Sequence, residues 1–333
     1  MTRHKDFVPA GVIPATLLPF NDDYSINWQE MVRHLHDVAA TDGISAITVN
    51  GHASEVHACS FDEQQEILER TVDAVGSQLP VIAGIYADGS LEAAKIARMS
   101  EQAGASALLV FPSNALMMGG ELRPEMAEVH FKAVADATDL PLIVFNYARW
   151  TNLAYPLDTL LRLFEQMPSI KAIKDWTAEP ADHERNVTTL QSLSRPVNVL
   201  TTNSAWLMQS LNTGCNGLLS GAGSIIPELQ SQMFKAIQKK DMATAQAINK
   251  RMLPITRAFY RAPFLDMHNR MKEAAVLLGR QDRAVVRPPL MKLPDEEIDG
   301  IAQALRSAGL LEPVLAPADV APAVVESVAG VSG

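Results

Sequence analysis

Residues 170–175 read IKAIKD, and the run before it, at 141–147, reads PLIVFNY. Both are short, apolar throughout and end on groups able to do chemistry. Continuous apolar runs, rather than apolar/polar alternation, mark strands buried on both faces, as in a parallel sheet. Working outward, the same pattern recurs at 11–18 (GVIPATLL), 43–50 (GISAITVN), 80–86 (PVIAGIY), 106–111 (SALLVF), 197–202 (VNVLTT) and 216–220 (NGLLS), which makes eight strands. Helical segments fall between them. At 61–75, Ile67, Leu68, Val72 and Val75 share one face; at 123–138, Pro124 sits near the first turn, where proline is tolerated. Further helices are expected at 90–103, 157–167, 183–194 and 205–213. Strand starts lie roughly 20 to 37 residues apart, as eight βα units need. A doubly wound open sheet is the alternative, but it would carry a glycine-rich phosphate loop after its initial strand. Here that position reads LLPFNDDYSIN. The expectation is a TIM-type (β/α)8 barrel over 8–225. Helical patterns at 226–239, 241–261, 265–279 and 294–308 then predict a C-terminal helical bundle over 226–310. Residues 311–333 are rich in Ala, Pro and Val without a helical stripe, and are expected to form a flexible tail.

The bulk composition narrows the function classes. With 333 residues, 47% hydrophobic and 20% charged, the chain reads as a globular protein able to bury a large core. Its net charge of −10, with no Lys/Arg-rich block, argues against a nucleic-acid partner. The two cysteines, Cys59 and Cys215, sit in no CxxC and in no Cys/His cluster of zinc spacing, so they read as buried thiols of a reducing compartment. The first residues hold no apolar run of signal-peptide length, and no window approaches the ~20 apolar residues of a membrane span. A cytoplasmic protein with no membrane partner is expected.

Barrel chemistry sits at the C-terminal ends of the strands. Five places qualify: Asn50 to Glu55, Pro112 to Asn114, Phe145 to Tyr147, Lys174–Asp175, and Gly217 to Gly223. Lys174 stands out, because desolvating an ammonium inside an apolar strand is costly. Low polarity lowers the amine's pKa, and the neutral amine can attack a carbonyl to form an imine. The plainer reading is a lysine that snorkels to the rim or pairs with Asp175. The glycines at 217, 221 and 223 permit close backbone approach to a ligand, and a phosphate site there is a further possibility.

GVIPATLLPF at 11–20, GHASE at 51–55, FNY at 145–147, AIKD at 172–175 and NGLLSGAGSIIP at 216–227, at their observed spacing, give the chain its resemblance to the dihydrodipicolinate synthase/N-acetylneuraminate lyase family of class I aldolases, over about residues 8–310. The resemblance implies a barrel with a helical C-terminal bundle, often a homotetramer, and a lysine Schiff base with pyruvate or a related 2-oxo acid. That lysine falls on Lys174. No metal or organic cofactor is expected, since the imine is the electron sink. The loop Gly51, His52, Ala53, Ser54 would hold the substrate carboxylate, and the carbonyl of Leu219 would lie near the imine.

The departures from the family pattern are specific. Both threonines after strand two are lost, to His52 and Ala53; Ser54 offers a hydroxyl and an N–H to a carboxylate instead, and His52 a relay group titrating near 6.5. The tyrosine acid/base of strand five is replaced by Phe145, which carries no proton. Tyr147, two residues on and on the same strand face, is the expected catalytic substitute, with Tyr86 behind it. The arginine that binds a distal carboxylate in synthase members falls on Trp150, with Arg149 beside it. The second relay tyrosine falls on Ser113 or Asn114. These losses argue against the synthase reaction itself. The expected mouth, with Trp150, Trp176, Met117 and Met118, suits an apolar or aromatic aldehyde fragment. The leading expectation is an aldolase or hydratase-aldolase that releases or adds pyruvate. The alternatives are a dehydratase or deaminase of a 2-oxo sugar acid or hydroxyproline-derived acid, and a non-catalytic 2-oxo acid binding protein.

Overall fold

The computed structural model describes residue 4 and residues 6–312. Eight strands, β1 (Gly11–Pro14), β2 (Ile47–Val49), β3 (Val81–Ile85), β4 (Ala107–Val110), β5 (Leu142–Asn146), β6 (Ile170–Asp175), β7 (Asn198–Thr201) and β8 (Gly217–Ser220), form one parallel sheet in the order β1-β8-β7-β6-β5-β4-β3-β2. The last gap closes through parallel bridges Val12–Ile44 and Ala15–Thr48 and the bond from Thr16 N–H to the Thr48 carbonyl. The result is the expected (β/α)8 barrel. Its strands are almost wholly buried, because side chains fill the barrel inside and helices cover it outside.

The surrounding helices are α1 (Trp28–Ala39), α2 (Phe61–Val75), α3 (Ser90–Gln102), α4 (Pro124–Ala135), α5 (Leu157–Gln166), α6 (Pro180–Gln191), α7 (Leu207–Asn212) and α8 (Pro227–Gln238). Local chemistry fixes their starts. Ser60 and Glu63 form a reciprocal capping box on α2, satisfying two otherwise orphaned N–H groups. Helix α1, absent from the expected set, begins where Asn27 accepts from Glu30 N–H and buries Met31, Leu35 and Val38 on one face. Helix α8, grouped above with the bundle, packs on β1 and so completes the eighth βα unit. Helices α9 (Met242–Phe259), α10 (Met267–Leu277) and α11 (Asp295–Ser307) pack on one another beyond it. The tail expected at 311–333 lies, from residue 313 on, outside the described residues. Among the described residues no helix is long and apolar enough to cross a membrane.

Two buried cations fix the place of α10, one on the loop at the barrel mouth and one on the neighbouring bundle segments. Lys272 of α10 reaches the Glu55 carboxylate at 2.5 Å, with both side chains about 1% exposed. Glu55 also accepts from the Arg287 N–H at 2.9 Å. Arg270, fully buried on the same helix, donates to the carbonyls of Phe259, Arg261 and Pro263 and to Glu297. A buried cation is tolerable only when its charge and donors are this fully engaged. Helix α10 is therefore clamped on one side to the loop after β2 and on the other to the segment leaving α9.

Candidate active site

Alternation along β6 separates its last two residues. Asp175 points outward and is wholly buried behind the barrel, accepting from Asn146, Thr177 and Asn186 and pairing with His183 at 2.6 Å. Burial opposes charge on His183, but the hydrogen bond and charge of Asp175 outweigh it and push the imidazole up to about 10. Lys174 points the other way, into the barrel mouth. The reading in which it pairs with Asp175 is thereby excluded.

Lys174 is 7% exposed, and among the described residues its amine makes no hydrogen bond or ion pair. Its Nζ lies 4.0 Å from the centre of the Phe145 ring, the neighbouring residue in β5 register. Burial in these apolar surroundings pushes the amine down to about 7. At neutral pH a large fraction is then the nucleophilic free base. The cavity above it is lined by Ala15, Thr48, Gly51, His52, Ala53 and Leu109, and by groups from later in the chain: Trp176, Thr202, Gly221, Tyr260, Met267 and His268. Among the described residues no carboxylate lines it.

The loop after β2 turns sharply. Asn50 adopts φ 53°, and a Cβ on Gly84 would collide with its carbonyl, so a glycine on β3 is what lets this loop lie down. Residues 52–54 then form a single 3₁₀ turn whose N–H groups at His52 and Ala53 donate to no protein acceptor among the described residues. Ser54 lies behind the lining: its hydroxyl donates to the Thr16 carbonyl at 2.9 Å and its N–H to the Gly51 carbonyl at 3.1 Å. Both donors that the sequence offers to a carboxylate are thus engaged within the protein. Leu219 is also fully buried, in register with Ile13, and Gly221 two residues on meets the cavity in its place.

His52 and Tyr147, two separate candidates in the sequence, meet: His52 Nε2 lies 2.5 Å from the Tyr147 hydroxyl. The imidazole is packed edge-on by Phe111 at 5.0 Å, Tyr86 at 5.8 Å and Tyr147 at 5.9 Å, and Tyr147 lies over Phe145 at 4.4 Å. Burial, reinforced by Lys174 and His57, pushes His52 down to about 3, not the 6.5 of a solvated relay. Burial raises Tyr147 well above an ordinary phenol. The resting pair is therefore neutral on both members, sharing one hydrogen. Tyr86 is turned away, accepting from Asn114 Nδ2 at 2.9 Å.

The expected mouth needs correction. Met117 and Met118 sit on an outer turn, Met118 95% exposed, and neither lines the cavity. Arg149 pairs with Asp182 at 2.9 Å and lines a different cleft with Asn152 and Arg185. Trp150 and Trp176 do meet, edge to face at 5.4 Å, and both touch Phe264 from the segment after α9. Thr48, Thr202, Tyr260, Met267 and His268 were not read from the sequence. For the last three there was no local signal, since the bundle is brought over the mouth only by folding.

The model of the dihydrodipicolinate synthetase family matches residues 8–308. The 4-hydroxy-tetrahydrodipicolinate synthase of Gluconacetobacter diazotrophicus is 31% identical over 307 residues, covering 90% of this chain and 97% of that protein. The enzyme of the same name from Dechloromonas aromatica is 30% identical, covering 90% and 99%. Among solved structures, a prophage protein of the dihydrodipicolinic acid synthase family from E. coli K12, crystallised with pyruvate, superposes with a TM-score of 0.82 at 23% identity, covering 91% of this chain and 99% of that one. At that identity the likeness speaks for the fold.

Proposed function

The chain belongs to the dihydrodipicolinate synthetase family, and on that premise we propose that it is a Schiff-base lyase that cleaves or forms a carbon–carbon bond next to a pyruvate unit. The observation that carries this is Lys174: an amine at a barrel mouth, pushed down to about 7 by burial, with no counter-ion in its cavity. In the cleavage direction the free amine attacks C2 of a 4-hydroxy-2-oxo acid, and the carbinolamine takes up a proton from solvent and loses water, forming the iminium. A base takes the C4 hydroxyl proton, the C3–C4 electron pair flows into the iminium, and an aldehyde departs. The remaining enamine is protonated at C3, and water hydrolyses the imine to release pyruvate and restore the amine.

The free N–H groups of His52 and Ala53, with Gly51 open beside them, suit the C1 carboxylate. Tyr147, backed by His52, suits the C4 hydroxyl: the phenol takes the substrate proton as it passes its own to Nε2. A bound carboxylate raises the imidazole's basicity again, offsetting the effect of Lys174. Phe145 contributes the apolar wall that depresses the amine. The absence of a guanidinium from this cavity, with Arg149 held by Asp182, favours an aldehyde half without a distal carboxylate.

Borohydride reduction in the presence of pyruvate tests the reading. The expected result is irreversible inactivation with one reduced pyruvate adduct per chain on Lys174, abolished in Lys174→Ala. A chain that gains no adduct is not a Schiff-base enzyme. Product analysis with a 4-hydroxy-2-oxo acid separates aldol cleavage, which gives an aldehyde, from dehydration, which does not.

A further inference from the structure

The cavity has a second wall that the imine chemistry does not use. On the β2 to β5 side His52 and Phe145 line it, with Tyr147 packed against both. Across the mouth, at the end of β8, His268 lies against Gly221: a Cβ added there would stand 2.8 Å from its Nε2 and 3.1 Å from its Cδ2. The imidazole is thus seated on bare backbone, in a place that any larger residue at 221 would contest. It lines the same cavity as Lys174, and among the described residues no hydrogen-bond partner is found for either ring nitrogen. Its helix is rigidly placed. Arg270 and Lys272, two and four residues on, are the buried cations that clamp α10 to the α9 exit and to Glu55. A fixed, unpartnered hydrogen-bonding side chain aimed into a reaction cavity has a ligand as its natural partner.

We propose that His268 is a substrate-binding and specificity-determining residue, receiving a hydroxyl on the aldehyde-derived half of the substrate, one carbon beyond the bond that breaks. This rests on the Schiff-base reading above. Once Lys174 fixes C2 and the Tyr147 wall takes the C4 oxygen, the opposite wall meets the next carbon. Burial, with His52 and Lys174 close by, holds His268 well below an ordinary histidine, so it is neutral. A neutral imidazole has one donor and one acceptor, which a hydroxyl satisfies and a carboxylate does not. Of the other polar groups that line the cavity on this side, the Tyr260 hydroxyl is held by Ser204, Ser220 and the Ala222 backbone, and Thr202 and Trp176 belong to the ends of β7 and β6.

The test compares pyruvate release from 4,5-dihydroxy-2-oxopentanoate, which cleaves to pyruvate and glycolaldehyde, with release from 4-hydroxy-2-oxopentanoate, which gives acetaldehyde. The native enzyme should prefer the dihydroxy acid in kcat/KM by about 10- to 100-fold, the value of one well-placed buried hydrogen bond. His268→Phe should reduce that preference to within about threefold, and His268→Gln should keep part of it. Gly221→Ala, which displaces the ring without removing it, should act like His268→Phe and decides the matter if that variant fails to fold. Equal use of both acids by the native enzyme, or an undiminished preference in both His268→Phe and Gly221→Ala, overturns the proposal. So does pyruvate trapping without cleavage of the dihydroxy acid. Failure of native trapping removes the Schiff base itself, and is read separately from these outcomes.

Discussion

Tyr147 and His52 were rival candidates in the sequence, and their 2.5 Å contact makes them partners. That changes what kinetics should show. A relay carried by a solvated histidine would give a turnover pKa near 6.5. With His52 pushed down to about 3 and Lys174 to about 7, a limb near neutrality belongs to the lysine. The sign follows: the amine attacks only when neutral, so the trapping rate with pyruvate should be level above about pH 7 and fall tenfold per unit below it. The expected outcome of Tyr147→Phe is trapping that survives while turnover of a 4-hydroxy-2-oxo acid drops by about 10²–10⁴, the usual worth of a positioned acid/base. His52→Ala should cost a similar factor, and the double variant little more than either, because the two act as one unit. Additive losses in the double variant would separate them again. A trapping profile with its midpoint near 10 would mean that Lys174 is not desolvated in solution.

At the scale of elements, the strands were legible because both-sided burial writes itself as unbroken Val, Ile and Leu. β6 occupies the expected 170–175 and α2 the expected 61–75, and the other strands lie inside their expected runs. Helix α1 carries its own signal, with Met31, Leu35 and Val38 at helical spacing, but a weaker one than the strand runs on either side of it. What no local pattern could reveal is the role of α10. Its Arg270 and Lys272 read as ordinary surface cations, and only their partners, among them Glu55 at a separation of 217 residues, show them to be buried. The same separation hid His268 and Tyr260 from the site. The clamp is measurable by urea unfolding. Lys272→Met should destabilise by about 3–5 kcal/mol, because it strands the Glu55 carboxylate without its cation. Adding Glu55→Gln should recover a good part of that loss. If the double variant is as unstable as the sum of the singles, the pair is not coupled and α10 is held by packing alone.

Exposed apolar side chains gather on the elements that follow β4. Met117, Met118 and Leu122 on the turns after β4, and Met126 and Val129 on α4, are all exposed, Met118 at 95% and Leu122 at 79%. Apolar side chains gathered in this way are costly to leave in water, and such patches suit a contact with another chain. A second copy of this chain is the occupant that the family resemblance, with its frequent homotetramers, makes the natural expectation. The patch is also connected to the chemistry. Asn114, in the turn that carries Met117 and Met118, donates to the Tyr86 hydroxyl at 2.9 Å, and the Tyr86 ring lies edge-on to His52 at 5.8 Å. Covering the turn would steady Tyr86 and through it the imidazole that backs Tyr147. We therefore expect sedimentation at micromolar concentration to give an assembly larger than the monomer. The double change Met118→Glu and Val129→Glu should shift it to smaller species while thermal unfolding stays cooperative, since both side chains are exposed in the single chain. The dissociated variant should retain pyruvate trapping at Lys174, which lies on β6 away from this face, and lose turnover, which needs the His52–Tyr147 pair in register. A native chain that sediments as a monomer would remove the interface, and full turnover in a dissociated variant would show that the path from Asn114 to His52 carries nothing.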